Sequence, residues 1–227
     1  MLKQERALQT RRTVLDAAAR VFAVNGYLGT SLAQILAEAG VTKGALYFHF
    51  SSKEELARAV VNEQFAPAAD GEAAPLPEGP ALQAAIDLSH GIGRSLREDP
   101  MMQASIRLVI EQAFTEPDPG PYLRWIEVIE QLLTEAHRVG DLRATVVPAD
   151  LARFVISSFT GIQLVSGVLD HRTELSRRVG DMWELILPTV VPPRRLHKFR
   201  ARPETPADTG TASADADTAD TADADTA

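Results

Sequence analysis

With 227 residues, 45% of them apolar and 24% charged, the chain is long enough for a small headpiece and one larger core. No apolar run reaches the roughly 20 residues of a membrane span, and an N-terminus bearing Lys3, Glu5, Arg6, Arg11 and Arg12 reads as no secretory leader, so a cytoplasmic protein without a membrane partner is expected. The absence of cysteine excludes disulfides and thiolate metal sites, and the formal charge of −8 is concentrated at one end. Residues 203–227 hold seven acids and no base, leaving the remainder near −1, whereas residues 1–53 hold seven bases against three acids, a local net of +4.

In chain order, Val14, Ala18, Val21 and Phe22 form a helical stripe that predicts a first helix over Thr10–Asn25, stopped by Gly26. Ser31 and Gln34 make a capping box ahead of Leu32, Ile35 and Leu36, and Gly40 closes this second helix. A tight turn then leads to Thr42, a cap for a short third helix through Phe50. In this third helix Lys43 and Tyr47 share one face, while Leu46 and Phe50 share another. Gly44 and Ala45 carry almost no side chain, so this helix can approach a phosphate backbone closely. Ser52 and Glu55 form a further capping box and open a fourth helix with Leu56, Ala59 and Val60 on one face. The pattern predicts a helix-turn-helix headpiece whose third helix reads DNA.

The run from Arg6 to Arg11, through Phe22, Gly26-Tyr27, Thr30-Ser31-Leu32 and Gly40 to Phe50, and on to Lys53-Glu54, resembles the N-terminal domain of TetR-type repressors. Within that family, Val41-Thr42-Lys43-Gly44-Ala45-Leu46-Tyr47-Phe48-His49-Phe50 is most similar to the γ-butyrolactone autoregulator receptors. The resemblance covers roughly residues 6 to 65. It implies an all-α, TetR-like fold, with a headpiece over 1–65 and a helical ligand-binding and dimerisation domain over 80–192.

Past the headpiece, Pro67, Gly71, Pro75, Pro77, Gly79 and Pro80 mark a loop over 66–80. Helices are predicted near 80–98, 101–114, 120–139, 148–170 and 173–188, without strand alternation. The segment Phe154 to Leu169 is apolar nearly all round yet contains Ser157, Ser158, Thr160, Gly161, Gln163, Ser166 and Gly167, which predicts burial on more than one side. The resemblance places the dimer interface on the last two helices. The Ala/Asp/Thr repeat of 203–227 cannot bury enough apolar surface to offset ordering entropy and is expected to be a disordered, solubilising tail.

A dimer is also what recognition requires, because one short helix touches few base pairs, and two of them about 34 to 36 Å apart read successive major grooves of a near-palindrome. Lys43 is expected at a guanine edge or neighbouring phosphate, Gly44 at close backbone approach and Ala45 at a thymine methyl. Tyr47, His49 and Lys53 are expected mainly at phosphates. Ser31 and Thr42 act first as caps and second as phosphate donors. Phe50 is expected to pack within the headpiece, and Phe48 to pack or touch DNA.

For signal input, Trp125 shares an inward stripe with Ile129, Leu132, Leu133 and Ala136. Taken alone, Trp125 reads as core; the resemblance places it in a ligand pocket, where Ile129 on the same stripe is expected beside it. Gln64, Thr160 and Gln163 are polar residues on apolar faces and are further candidates for a lactone carbonyl or hydroxyl. The expected inducer is a small γ-butyrolactone-like molecule. A drug-sensing or pseudo-receptor regulator, and a DNA-associated dimer without ligand, are the alternatives. His49, His90, His137, His171 and His197 are scattered without metal-ligand spacing, and neither a Gly-x-Ser-x-Gly elbow nor a phosphate loop occurs. No enzymatic function, metal or cofactor is expected.

Overall fold

The helical periodicity of the sequence resolves, in a computed structural model that describes residues 2–63, 79–111 and 118–203, into nine α-helices and one 3-10 turn among those residues. The headpiece comprises α1 (Leu2–Asn25), α2 (Leu32–Ala39), α3 (Lys43–His49) and α4 (Lys53–Glu63). The body comprises α5 (Ala81–Glu98), α6 (Pro100–Ile110), α7 (Gly120–Arg138), α8 (Pro148–Asp170) and α9 (Leu175–Val190), followed by a 3-10 helix at Pro193–Lys198. No strand occurs among the described residues. The predicted loop at 66–80, up to residue 78, and the tail from 204 lie outside the described residues.

The first helix begins at Leu2 rather than Thr10. The Thr10 and Thr13 hydroxyls donate to the carbonyls of Arg6 and Gln9, at 2.9 Å each, so both threonines sit inside the helix instead of capping it. The capping box at Ser31 forms as expected: its Oγ accepts from Gln34 N at 3.3 Å and its N–H donates to Gln34 Oε1 at 2.7 Å. The second box closes only in part. Ser52 Oγ accepts from Glu55 N at 3.0 Å, but the Glu55 carboxylate reaches back to Ser51, whose N–H and hydroxyl donate to it at 2.7 and 2.6 Å. Those two bonds hold the Glu55 carboxyl below its usual range.

The sixth helix starts one residue early, at Pro100, because Asp99 caps it by accepting from Met101 N at 2.8 Å and proline suits the first helical turn. Its predicted end near 114 falls among residues outside the description, beyond Glu111. The ninth helix runs through Pro188 to Val190, and Arg143 secures that end by donating to the carbonyls of Pro188 and Val191 at 2.9 and 3.2 Å. Body packing also extends past residue 192. His90 Nε2–H donates to Ala201 O at 2.8 Å, and the Gln83 amide pairs with both backbone groups of Arg200. Arg202 bridges Asp181 and Glu184.

Two apolar cores result. The body core gathers Leu82, Ile86, Leu133, Val155, Leu175, Val179 and Trp183. The headpiece core is built from Val14, Leu15, Phe22, Ile35, Leu46, Phe50, Leu56 and Val60, and it is completed by Ala104, Leu108 and Val109 of α6. The linker at 66–80 therefore divides the chain but not the core. Contrary to the sequence expectation, α8 is a 23-residue helix that by length and composition is apolar enough to cross a membrane. It lies against α7 and α9, a third of its apolar window is buried, and its polar residues Thr160, Gln163 and Ser166 face protein.

Leu108 is fully buried. Replacement by Ala is expected to destabilise the headpiece by about 2 to 5 kcal/mol although the residue lies outside 1–65; hydrogen exchange of headpiece amides reads this directly, and unchanged exchange there would separate the two cores.

Candidate DNA-reading surface and ligand cavity

The third helix is positioned by a left-handed glycine, a cap and two apolar anchors. Gly40 closes α2 at φ +64°, and its N–H donates to Leu36 O at 3.0 Å. Thr42 Oγ1 accepts from Ala45 N at 3.2 Å. Leu46 and Phe50 are buried in the headpiece core, and the Arg11 guanidinium lies 5.4 Å over the Phe50 ring. Packing is thus confined to one face.

On the opposite face Lys43, Gly44, Tyr47 and Phe48 are exposed, with Ala45 and His49 half-buried. Lys43 Nζ lies 5.8 Å over the Tyr47 ring, so the ammonium is guided by an aromatic face without being tied to a carboxylate. A Cβ on Gly44 would meet nothing within 4 Å. Phe48 is 78% exposed, stacked edge-on against His49 with ring centroids 4.9 Å apart. The packing role considered for Phe48 is therefore excluded, while the one expected for Phe50 holds.

Lys53, expected at a phosphate, has its ammonium turned inward. Nζ donates to the carbonyls of Tyr27 and Thr30, both at 2.9 Å, and sits 4.3 Å over the Tyr27 ring. It fastens α4 to the loop after α1. Nothing in the local pattern of charge distinguishes such a lysine from a solvated one, because its acceptors are backbone oxygens more than twenty residues away in sequence.

In the body, Ile92 of α5, Ile106 and Ile110 of α6, Tyr122 and Trp125 of α7, and Ile156, Phe159, Thr160 and Gln163 of α8 enclose a cavity of about 30 Å³. Trp125, Thr160 and Gln163 thus come together as expected, and Tyr122, Ile106 and Ile110 are wall residues that sequence reasoning missed. Tyr122 packs edge-on to Trp125 at 5.3 Å, and burial raises its phenol above the usual range. Ile129 lies in the body core and not in the cavity wall. Gln64 lies outside the described residues.

The polar groups of this wall have defined polarity. Gln163 Oε1 accepts from Arg172 Nη2 at 3.0 Å and Nε at 3.3 Å, so its amide N–H groups are what it has left to offer. The Thr160 hydroxyl donates to Ile156 O at 2.8 Å and keeps its acceptor lone pairs. No cluster of three or more His, Asp or Glu side chains suited to a metal occurs among the described residues.

Residues 14–60 match the family model of bacterial regulatory proteins of the tetR family, and residues 80–192 match the tetracyclin repressor-like C-terminal domain. The chain belongs to the TetR family. It is similar to the A-factor receptor protein of Streptomyces griseus, 39% identical over 193 residues, covering 85% of this chain and 68% of that one. Among solved structures it is similar to the TetR regulator TylP from Streptomyces fradiae, with a TM-score of 0.74, 35% identity, and coverage of 86% of this chain and 92% of that one. It is also similar to a gamma-butyrolactone receptor described as ArpA-like, with a TM-score of 0.64, 31% identity, and coverage of 85% and 93%. The chain is a TetR-type transcriptional repressor, a DNA-binding regulator and not an enzyme.

The face carrying Lys43 and Phe48 is exposed and takes no part in the headpiece core. Replacing Lys43 by Ala is expected to weaken operator binding and relax discrimination at one base position by about 1 to 3 kcal/mol. Replacing Lys53 by Ala is expected to destabilise the headpiece while leaving base discrimination intact. Gel shifts with single-base operator variants, beside thermal melts, separate the two; equal loss of discrimination in both variants would put Lys53 at the DNA.

Proposed function

We propose that the protein is a homodimeric repressor that reads a near-palindromic operator with paired copies of α3 and is released by a small γ-butyrolactone-like molecule entering the body cavity. The observation that carries this reading is the presence in one chain of an exposed Lys43-Tyr47-Phe48 face and a nearly wholly apolar cavity walled by Trp125. The relatives add support, since one is named a receptor for A-factor and another a gamma-butyrolactone receptor.

The dimer reading rests on the outer faces of α8 and α9. Phe154, Val165, Val168 and Leu169 on α8 and Leu185 on α9 are each more than half exposed in the single chain. An apolar surface of that extent favours burial against a partner. A Cβ on Gly161 would meet nothing within 4 Å, which leaves room for a helix to approach. Ser31, Thr42, Gly44, Tyr47 and His49 flank Lys43 as backbone-positioning contacts and Ala45 and Phe48 offer apolar contact to base methyls or sugars, while Trp125, Thr160 and Gln163 receive the ligand.

The inducer must act through elements that touch both regions. At its C-terminal end α4 is fastened to the body by Ser105 Oγ, which donates to Val61 O at 3.3 Å, and by Arg124 Nη2, which donates to Asn62 Oδ1 at 2.9 Å. A lactone carbonyl meets the Gln163 N–H groups, and a ligand hydroxyl meets Thr160. Moving the population from 1:99 to 99:1 requires about 5.5 kcal/mol of differential affinity between the two states.

Screening DNA release with butyrolactones, butenolides, furans and antibiotics, alongside Trp125 emission, tests this reading. A γ-butyrolactone is expected to release operator DNA and shift emission together, and Trp125→Ala to blunt the response. Release by antibiotics alone would assign the cavity to drug sensing; release by a lactone with unaltered emission would place its site elsewhere.

A further inference from the structure

The end of α1 is held by a pair of charged residues from α6. Arg107 Nη1 donates to the carbonyls of Ala23 and Val24, at 3.0 and 2.8 Å, two of the groups that the last turn of α1 leaves without helical partners. Its positive charge also suits the negative end of the α1 dipole. Arg107 Nε donates to Glu111 Oε1 at 2.6 Å, and Glu111 Oε2 accepts from Tyr27 N at 3.0 Å. Gly26 adopts φ +68°, and a Cβ there would lie 2.5 Å from Glu111 Oε1, so the turn must be glycine for the carboxylate to seat. Lys53 of α4 grips the same turn through the carbonyls of Tyr27 and Thr30. Residues 26–30 are therefore a joint where α1, α4 and α6 meet.

The residues preceding Arg107 and Glu111 in sequence, Ile106 and Ile110, are cavity wall. The cavity is narrow, about 30 Å³, so a substituted lactone seated there would press on its walls. The α6 wall, like the α7 wall that carries Arg124, belongs to a helix that also grips the headpiece.

We propose that Arg107 and Glu111 form a coupling clamp: they convert outward displacement of Ile106 and Ile110 into reorientation of the headpiece at the Gly26–Thr30 turn, beside the route through α4. This inference rests on the cavity being the inducer site. Both are positioning residues. Neither lines the cavity nor belongs to the α3 face, so their loss uncouples the two sites without emptying either.

The test uses the full-length chain, Arg107→Gln and Glu111→Gln, an operator selected on the wild type, and an alkyl-substituted γ-butyrolactone as probe. In both variants the Tyr27 amide is expected to exchange at least about tenfold faster. Operator affinity without probe is expected to fall about tenfold, and the ratio of affinities without and with probe to collapse toward unity. The Trp125 emission titration with probe is expected to keep its midpoint, and Arg107→Lys, which retains charge and donors at the α1 carbonyls, to restore most of the ratio. Retained Tyr27 protection together with an unchanged affinity ratio overturns the clamp. A probe that leaves wild-type Trp125 emission unaltered overturns the cavity reading instead; the clamp then stands or falls on Tyr27 exchange and ligand-free operator affinity.

Discussion

The constraint on which the structure depends is that one short helix must satisfy two cores at once. Of eleven residues in α6, Ala104, Leu108 and Val109 complete the headpiece core, while Ile106 and Ile110 face the cavity of the body. Packed interiors tolerate little free volume, so neither face can move without the other. A headpiece of about 60 residues buries too little surface to be robust alone, and borrowing α6 supplies the missing apolar contact. In the proposed function, the same economy ties DNA reading to whatever fills the cavity.

The recognition surface follows a complementary logic. Caps at Ser31 and Thr42, the left-handed Gly40 and the buried Leu46 and Phe50 spend every local preference on fixing the orientation of α3. Its outer face is left with a lysine, a tyrosine, a phenylalanine and a bare backbone at Gly44. Phosphate attraction to a basic headpiece gives affinity that falls with salt, whereas base-edge contacts from so few side chains give discrimination only when two copies are held at the correct separation. The apolar faces of α8 and α9 are where that separation is set in the proposed dimer.

Much of this was legible in the sequence. Helix periodicity located the nine helices, and the Ser31–Gln34 spacing anticipated a capping box that forms as read. Trp125, Thr160 and Gln163 converge on one cavity because their helices were correctly placed and their faces correctly phased. What escaped notice involves partners distant in sequence. Lys53 looks like a solvated lysine until the carbonyls of Tyr27 and Thr30 are brought to it, and Arg107 and Glu111 look like an ordinary i,i+4 surface pair until α1 ends against them. The Pro/Gly-rich linker marks where the headpiece ends along the chain, but composition does not show that α6, beyond it, completes the headpiece core. Phe48 was undecided in the sequence because its neighbour Phe50 is apolar too; only the orientation of α3 separates the exposed ring from the buried one.

In the proposed dimer the state of the cavity sets the spacing of the two recognition helices through α6. Because the chain has no cysteine, Ala37→Cys on the exposed face of α2 accepts a single spin label per protomer. Pulsed dipolar measurement across the dimer is expected to give one narrow distance on operator DNA, consistent with recognition helices about 34 to 36 Å apart, and a shifted distribution once a releasing ligand is bound. A distribution identical with and without that ligand, or no dipolar coupling at all because the chain is monomeric, would contradict the account.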